Sequence, residues 1–213
     1  MYFLSKELYF PPVSQATDEG ILAIGGDLSV ERLVLAYKNG IFPWFDANDP
    51  ILWWAPMQRM VVVPNQYKIS KSTRNLLNQK KFQVTVNTCF KRVILQCQKS
   101  ERKGQVGTWI SDEIIKQYSK LHDLGIAKSI EVWQNNELVG GLYGIDLGTI
   151  FCGESMFSTV SNASKIAFVS LILYLRDNNY VLLDCQVHND YLERLGAFEI
   201  ERSHFMKILK GNN

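Results

Sequence analysis

Three polar side chains stand among residues that should be buried. Glu154 lies in the segment 153–158, Gly-Glu-Ser-Met-Phe-Ser, and Asp184 and Gln186 lie two residues apart in a short apolar stretch. Because a buried carboxylate is costly unless it is paired or used, these residues indicate a reaction centre. On a strand, Asp184 and Gln186 would share one face, where a carboxylate and an amide could handle an amine proton. The alternative for either carboxylate is a hydrogen bond to a neighbouring turn.

A strongly basic segment runs from Gln66 to Lys103. It holds ten Lys and Arg residues against one acid, Glu101, which leaves thirteen basic and twenty acidic residues elsewhere in a chain of net charge +2. A localised basic face is what binding to a phosphate backbone needs, and a solvated helix surface is the alternative. The candidate phosphate-binding residues are Lys71, Arg74, Lys80 and Lys81.

Aromatic residues near these segments could stack on a base or a sugar. The candidates are Trp53, Trp54 and Trp109, although a tryptophan taken singly is more often part of a core. Trp109 is the favoured one because it follows the basic segment directly. The three histidines lack the spacing of a metal site, and no metal is expected.

Composition limits the class of protein. With 213 residues, 46% hydrophobic and 21% charged, the chain fits a globular domain with a smaller lobe. The longest apolar run, 166–175, is too short to span a bilayer, and no export signal begins the chain. Four cysteines without a C-x-x-C pair indicate reduced thiols, so a cytoplasmic protein without membrane segments is expected.

The elements that must position these residues fall into two regions, and the fold class is α+β. Residues 1–62 predict a small irregular lobe with one helix from Val30 to Asn39, capped by Ser29 and ended by Gly40. Residues 63–213 predict a mixed sheet with packed helices. Its expected helices are 72–79, 88–98 capped by Asn87, 111–125 capped by Ser111, and 163–176. Its expected strands are 60–63, 82–86, 130–133, 138–143, 149–153, 180–186 and 205–209.

The motifs of the chain, taken in order, closely resemble those of the bacterial leucyl/phenylalanyl-tRNA–protein transferases. Any one of these motifs could arise by chance, but so many in the same order are specific. The matching segments are 26–29, 40–44, 52–56, 108–110, 129–133, 139–144, 153–158, 162–165 and 184–186.

The resemblance implies an activity and its partners. Such enzymes move Leu or Phe, and Met less well, from aminoacyl-tRNA to proteins that begin with Arg or Lys, which marks those proteins for degradation. It also implies a GNAT-like catalytic domain, no cofactor, and catalytic roles for Asp184, Gln186 and Glu154. The apolar cup for the donor side chain would consist of Leu142, Phe151, Met156 and Leu183, with Trp109 and Trp53 or Trp54 at the adenosine. A monomer is expected.

Some residues depart from the family pattern, and two other functions remain open. Lys128 replaces a usual His, and residues 191–192 and 194–197 differ from the usual sequence after Gln186, but no proposed reaction-centre residue changes. The first alternative is a tRNA-binding module without catalysis. The second is a GNAT-type acyl-CoA transferase, although the segment Ser161–Ser164 does not form the expected glycine-rich pyrophosphate loop.

Overall fold

The computed structural model describes residues 2–46, 49–100 and 108–211, and every structural statement below concerns these residues. The α-helices are α1 Val30–Lys38, α2 Lys71–Asn78, α3 Phe90–Lys99, α4 Asp112–Asp123, α5 Ala163–Asp177, α6 Asp190–Arg194 and α7 Arg202–Gly211. The strands are β1 Tyr2–Leu4, β2 Ile21–Gly25, β3 Phe42–Pro43, β4 Leu52–Trp54, β5 Gln58–Val62, β6 Gln83–Val86, β7 Ala127–Gln134, β8 Glu137–Asp146, β9 Ile150–Ser158, β10 Leu182–Gln186 and β11 Phe198–Glu201. The expected α+β class is confirmed.

The amino-terminal region is more regular than expected. It contains a four-stranded sheet in the order β1-β2-β4-β3, which the sequence did not predict. Strands of two to five residues are too short to produce a recognisable alternation of apolar and polar residues. The division at residue 62 remains a prediction, but the chain passes from one sheet to the other between β4 and β5.

A seven-stranded sheet in the order β11-β5-β10-β9-β8-β7-β6 organises the rest of the molecule. Its neighbouring strands are antiparallel except for β9 and β10, which are parallel. Helices cover both faces, as a sheet that is apolar on both sides requires. One apolar cluster lies under α3, α4 and the amino-terminal region, and a second lies under α5.

Local sequence signals fix several of these elements. The side chains of Ser29 and Ser111 accept hydrogen bonds from the backbone at the starts of α1 and α4, as expected for N-caps. Asn135 and Asn136 both have positive φ, which is the conformation that a two-residue hairpin between β7 and β8 requires. The two N-cap predictions are confirmed.

Other local predictions were wrong. Residues 205–209 belong to helix α7, not to a strand, because Phe205 and Leu209 are spaced to share one buried helical face. Asn87 does not cap α3, since its side chain accepts a hydrogen bond from the Ser129 backbone instead. Strand β9 continues beyond Gly153 to Ser158, so Glu154 lies within a strand.

Two glycines of β8 are required by close packing. A Cβ atom on Gly140 would lie 2.7 Å from the Cβ of Ala163, at the start of α5. A Cβ atom on Gly144 would lie 2.2 Å from the carbonyl oxygen of Cys152 on β9. The glycine-rich segment 139–144 therefore allows α5 and β9 to approach β8 closely.

Candidate active site

The polar residues predicted from the sequence lie at irregularities of two adjacent strands. Tyr143 pairs with Ser155 and Gly144 with Gly153, which leaves Glu154 as the extra residue of a bulge in β9. A second shift in pairing, between β10 and β5, lies between Asp184 and Gln186. Bulges redirect side chains and are over-represented beside active sites. Strands β9 and β10 are paired as far as Cys152 and Asp184, immediately before both irregularities.

Asp184 is completely buried and forms an ion pair with Arg59 of β5. Arg59 donates from Nε to Oδ1 at 2.8 Å and from Nη2 to Oδ2 at 2.7 Å, and the backbone nitrogen of Gln186 donates to Oδ1 at 2.9 Å. Burial opposes the charge of Arg59, but Asp184 outweighs it and raises the pKa of the guanidinium. Both carboxylate oxygens of Asp184 are buried, and the role expected for this residue at an acceptor amine stays a prediction.

Glu154 is the centre of a second set of hydrogen bonds. The amide nitrogen of Gln186 donates to its Oε1 at 2.7 Å, and the hydroxyl of Tyr118 donates to its Oε2 at 3.3 Å. The hydroxyls of Tyr118 and Tyr37 lie 2.5 Å apart. We call Arg59, Asp184, Gln186, Glu154, Tyr118 and Tyr37 the polar cluster. The structure thus brings together all three residues predicted to be catalytic.

The environment of Glu154 changes its acidity. Burial raises the pKa of this carboxyl from 4.5 to about 7; hydrogen bonds from Tyr37, Gln186 and Tyr118 oppose the change, and the charge of Asp184 adds to it. Burial and the nearby charge of Glu154 raise the pKa of Tyr118 and Tyr37 well above the ordinary value, so both hydroxyls remain protonated donors. Glu154 can therefore change its charge near neutral pH.

The neighbouring cysteines are not activated. Burial raises the pKa of Cys152 and of Cys185, and the charge of Asp184 adds to the effect at both thiols. A buried thiol that stays protonated is a poor nucleophile. Cys89, Cys152 and Cys185 are free thiols.

The expected cup for a donor side chain lies on the other face of the sheet. Leu142, Phe151 and Leu183 are buried in the apolar cluster under α5, and the partly buried Met156 packs against the same cluster. The four residues therefore lie together, as predicted, but they pack against α5 whereas the polar cluster contacts α1 and α4. Strand alternation explains this, since Phe151 and Leu183 precede residues that point to the opposite face.

The three candidate tryptophans differ in exposure. Trp53 is 0% exposed, and its ring nitrogen donates to the carbonyl of Gly25, so it has no face on which adenosine could stack. Its proposed stacking role is therefore wrong. Trp109 is also buried, whereas Trp54 is partly exposed. Trp44, which the sequence did not single out, is 38% exposed, and its ring centroid lies 5.4 Å from that of Trp54.

The basic residues lie on the surface. Lys71 and Arg74 are exposed on α2, and Lys80 and Lys81 are exposed on the connection to β6. We call these four residues the basic surface. Arg102, Lys103 and Glu101 of the predicted basic segment lie outside the described residues.

One group of side chains has a composition suited to a metal ion. Ligand atoms of His188, Asp190 and Glu193 lie within 4.8 Å of one another, and all three residues are exposed. His188 and Asp190 already form a hydrogen bond of 3.0 Å, which raises the pKa of the imidazole. Exposed groups of this kind pair with one another and with water, so they carry no metal assignment.

Two residues of the polar cluster carry signals that sequence reasoning missed. Arg59 directly precedes the apolar residues of β5, and a buried cation needs an anionic partner, which points to one of the buried carboxylates. Tyr118 lies on the buried face of α4, where a hydroxyl needs a hydrogen-bond partner. Neither signal identifies the partner.

Comparison with known proteins places this chain in a family. Residues 61–210 match the family described as leucyl/phenylalanyl-tRNA protein transferase, and residues 26–57 match the description of its amino-terminal domain. The chain belongs to this family. A leucyl/phenylalanyl-tRNA–protein transferase of Flavobacterium johnsoniae is 64% identical over 210 residues, covering 99% of both chains. One from Thermodesulfovibrio yellowstonii is 48% identical over 209 residues, covering 98% of this chain and 85% of the relative. The family is one of aminoacyltransferases, so the protein is an enzyme of that class.

A solved structure supports the expected GNAT-like fold. The crystal structure of FemX superposes with a TM-score of 0.53 at 11% sequence identity, covering 80% of this chain and 66% of the other. This likeness concerns the fold alone. Among the helices of the described residues, none combines the length and the apolar character needed to cross a membrane.

Proposed function

We propose that this protein transfers Leu or Phe, and Met less well, from aminoacyl-tRNA to proteins that begin with Arg or Lys. The product would carry a signal for degradation, and the enzyme would act as a monomer. Membership of the transferase family supports the reaction. The observation that supports a cationic acceptor is Glu154, a partly buried carboxylate to which no Arg or Lys of the described residues is hydrogen-bonded.

The polar cluster would bind and position the acceptor. A cation that approaches Glu154 stabilises the ionised carboxylate, and the attraction is strong because the site is largely shielded from water. Since the nitrogen of the Gln186 amide donates to Glu154, its carbonyl oxygen is left to accept a hydrogen bond from the α-amine. Asp184 acts on that amine through Gln186, whose backbone it holds.

The reaction needs little chemical assistance. The ester to the tRNA is already activated, so the unprotonated amine attacks the ester carbonyl, a C–N bond forms, and the C–O bond to the ribose breaks. The amine loses one proton and the departing ribose oxygen gains one. Holding the amine and the ester in contact lowers the activation barrier by several kcal/mol. Positioning by Gln186 and Glu154 is therefore the main contribution that we assign to the protein.

The donor and the tRNA would use separate surfaces. Within the expected cup, Leu142, Phe151 and Leu183 are packed under α5, so the donor side chain would contact the partly buried Met156, which is flexible enough to adapt to Leu, Phe or Met. Phosphates of the tRNA would contact the basic surface. Trp54, which is partly exposed, would contact the adenosine, and the ring of Trp44 packs beside it.

The decisive experiment is a transfer assay with labelled leucine on tRNA and peptides that begin with Arg, Lys or Ala. We expect transfer to the first two peptides and not to the third. Salt-sensitive tRNA binding without transfer would favour the non-catalytic binding module. Acyl transfer from acyl-CoA to the same peptides would instead favour the GNAT-type acyl-CoA transferase.

A further inference from the structure

Arg59 occupies an unusual position for a charged residue. It lies in β5, between β10 and β11 in the seven-stranded sheet, and its side chain is 2% exposed. The guanidinium carbon lies 4.7 Å from the ring centroid of Phe42 in β3 and 4.6 Å from that of Phe205 in α7. The planar group is thus held between an aromatic ring of the amino-terminal region and one of the last helix, a favourable arrangement for a cation.

The three nitrogens of the Arg59 guanidinium donate hydrogen bonds to different acceptors. Nε and Nη2 form the paired hydrogen bonds to Asp184, and Nη1 donates to the carbonyl of Gly40 at 3.2 Å. A planar fork of donors is needed to reach all three acceptors at once, and a lysine ammonium cannot reproduce it. Arg59 therefore sets the position of Asp184 relative to two other parts of the fold.

The constraint continues from Asp184 to the site. Oδ1 of Asp184 accepts hydrogen bonds from both Arg59 and the backbone nitrogen of Gln186. Gln186 has a φ of +67°, which is uncommon for a residue other than glycine and is maintained only when its surroundings hold it. From this backbone position, the side chain of Gln186 reaches Glu154.

We propose that Arg59 is a positioning residue: through Asp184 it holds Gln186 in the conformation that meets Glu154, and Phe42 and Phe205 hold Arg59. This inference rests on the proposed function for its kinetic consequence, but not for its structural one. A buried ion pair contributes little to stability compared with apolar residues of similar volume. Stability alone therefore does not explain why Arg59 and Asp184 are charged. The amino-terminal region and α7 then act on the site through one side chain.

The test is Arg59→Lys, which keeps the charge and loses the fork. We expect kcat for transfer to the Arg peptide to fall at least tenfold, with tRNA affinity changed less than twofold. In the NMR spectrum, the side-chain amide signal of Gln186, assigned by its loss in Gln186→Ala, should shift or broaden.

The matched control is Arg32→Lys. Arg32 is also fully buried, and its Nη2 donates to the carbonyls of Ser5 and Glu7, with no hydrogen bond to the polar cluster. We expect a lower Tm in this variant but an unchanged kcat and Gln186 signal. An equal loss of kcat in both variants, or a normal kcat and Gln186 signal in Arg59→Lys, would overturn the proposal.

A second pair of variants covers the case in which Arg59→Lys does not fold. Phe205→Leu removes one ring from the guanidinium, whereas Leu209→Ala removes a buried side chain from the next turn of α7. We expect a loss of kcat and a changed Gln186 signal in Phe205→Leu alone, and equal behaviour of the two variants would contradict the proposal. If the wild type transfers nothing, the proposed function fails, while the Gln186 signal still tests the role of Arg59.

Discussion

The polar cluster and the basic surface manage charge in opposite ways. In the polar cluster, Asp184 and Glu154 are held by fixed partners on different strands and helices. On the basic surface, the cations are exposed and close to water. Fixed, shielded groups provide geometry and acidity, whereas exposed cations provide attraction that salt weakens. The difference separates the part of the protein that should set the rate from the part that should set tRNA affinity.

The largest expected effect concerns the rate. Asp184→Asn keeps the volume of the side chain but removes the charge that pairs with Arg59 and alters the hold on Gln186. Because a misplacement of about 1 Å can cost roughly a hundredfold in rate, we expect kcat to fall by about that factor. Breaking a buried pair should also cost about 3–5 kcal/mol of stability.

Single-turnover transfer and tRNA binding by the same preparation measure the two properties, with denaturant unfolding as the control for stability. If tRNA affinity falls as much as the rate does, the proposed separation between the two regions is wrong.

The second effect concerns the choice of acceptor. Glu154→Gln removes the charge that would meet a cationic acceptor while keeping a side chain that can form hydrogen bonds with Gln186 and Tyr118. Loss of one partner of a shielded charge pair costs about 2–5 kcal/mol, so KM for the Arg peptide should rise by at least roughly thirtyfold. Peptides beginning with Arg and with Ala should then react similarly poorly, and kinetics with both peptides check this. A retained preference for Arg would place the acceptor's cation elsewhere.

The third effect is a pH dependence that belongs to Glu154. With a pKa of about 7 in the free protein, the carboxylate is mainly neutral at lower pH, so acceptor binding should weaken about tenfold per pH unit below 7. The check is KM for the Arg peptide measured between pH 5.5 and 8. The rise of KM below pH 7 should be absent in Glu154→Gln. An identical rise in the variant would assign it to another group.

The same shift has a consequence for stability. Since burial raises the pKa of Glu154 above its ordinary 4.5, the folded protein binds this proton more tightly than the unfolded chain does. Its contribution to stability is therefore present at low pH and is lost as the pH rises from about 4.5 through 7. The free energy of unfolding should be measured for Glu154→Gln and the wild type at pH 5 and at pH 8. The difference, variant minus wild type, should be more favourable to the variant at pH 8 than at pH 5.

The smallest effect per residue is expected on the basic surface. Neutralising Lys71, Arg74, Lys80 or Lys81 singly to Gln should weaken tRNA binding severalfold and reduce the slope of log affinity against log salt by about one. The rate at saturating tRNA should not change. A matched control is Lys210→Gln at the end of α7, another exposed cation. Unchanged binding in all four variants would move the tRNA contact elsewhere.

Much of the site could be predicted because its signals are local. Polar residues within apolar strands identified Glu154, Asp184 and Gln186, and capping serines identified two helix starts. The sequence could not reveal that Trp53 is enclosed or that the donor cup lies across the sheet from the carboxylates. Burial depends on which elements stack together, and a bulge of one residue changes the direction in which a side chain points.

The sequence by itself determined the family, the alternation of helices and strands and the residues with catalytic potential, since motifs, periodicity and caps are read within short segments. Only the tertiary structure decided that Arg59 pairs with Asp184, 125 residues away, and that the rings of Phe42 and Phe205 flank the Arg59 guanidinium. A buried carboxylate requires a partner, but its choice among the cations of the chain depends on the order of strands in the sheet. That order places β5 beside β10 and thereby makes Asp184 a fixed part of the site.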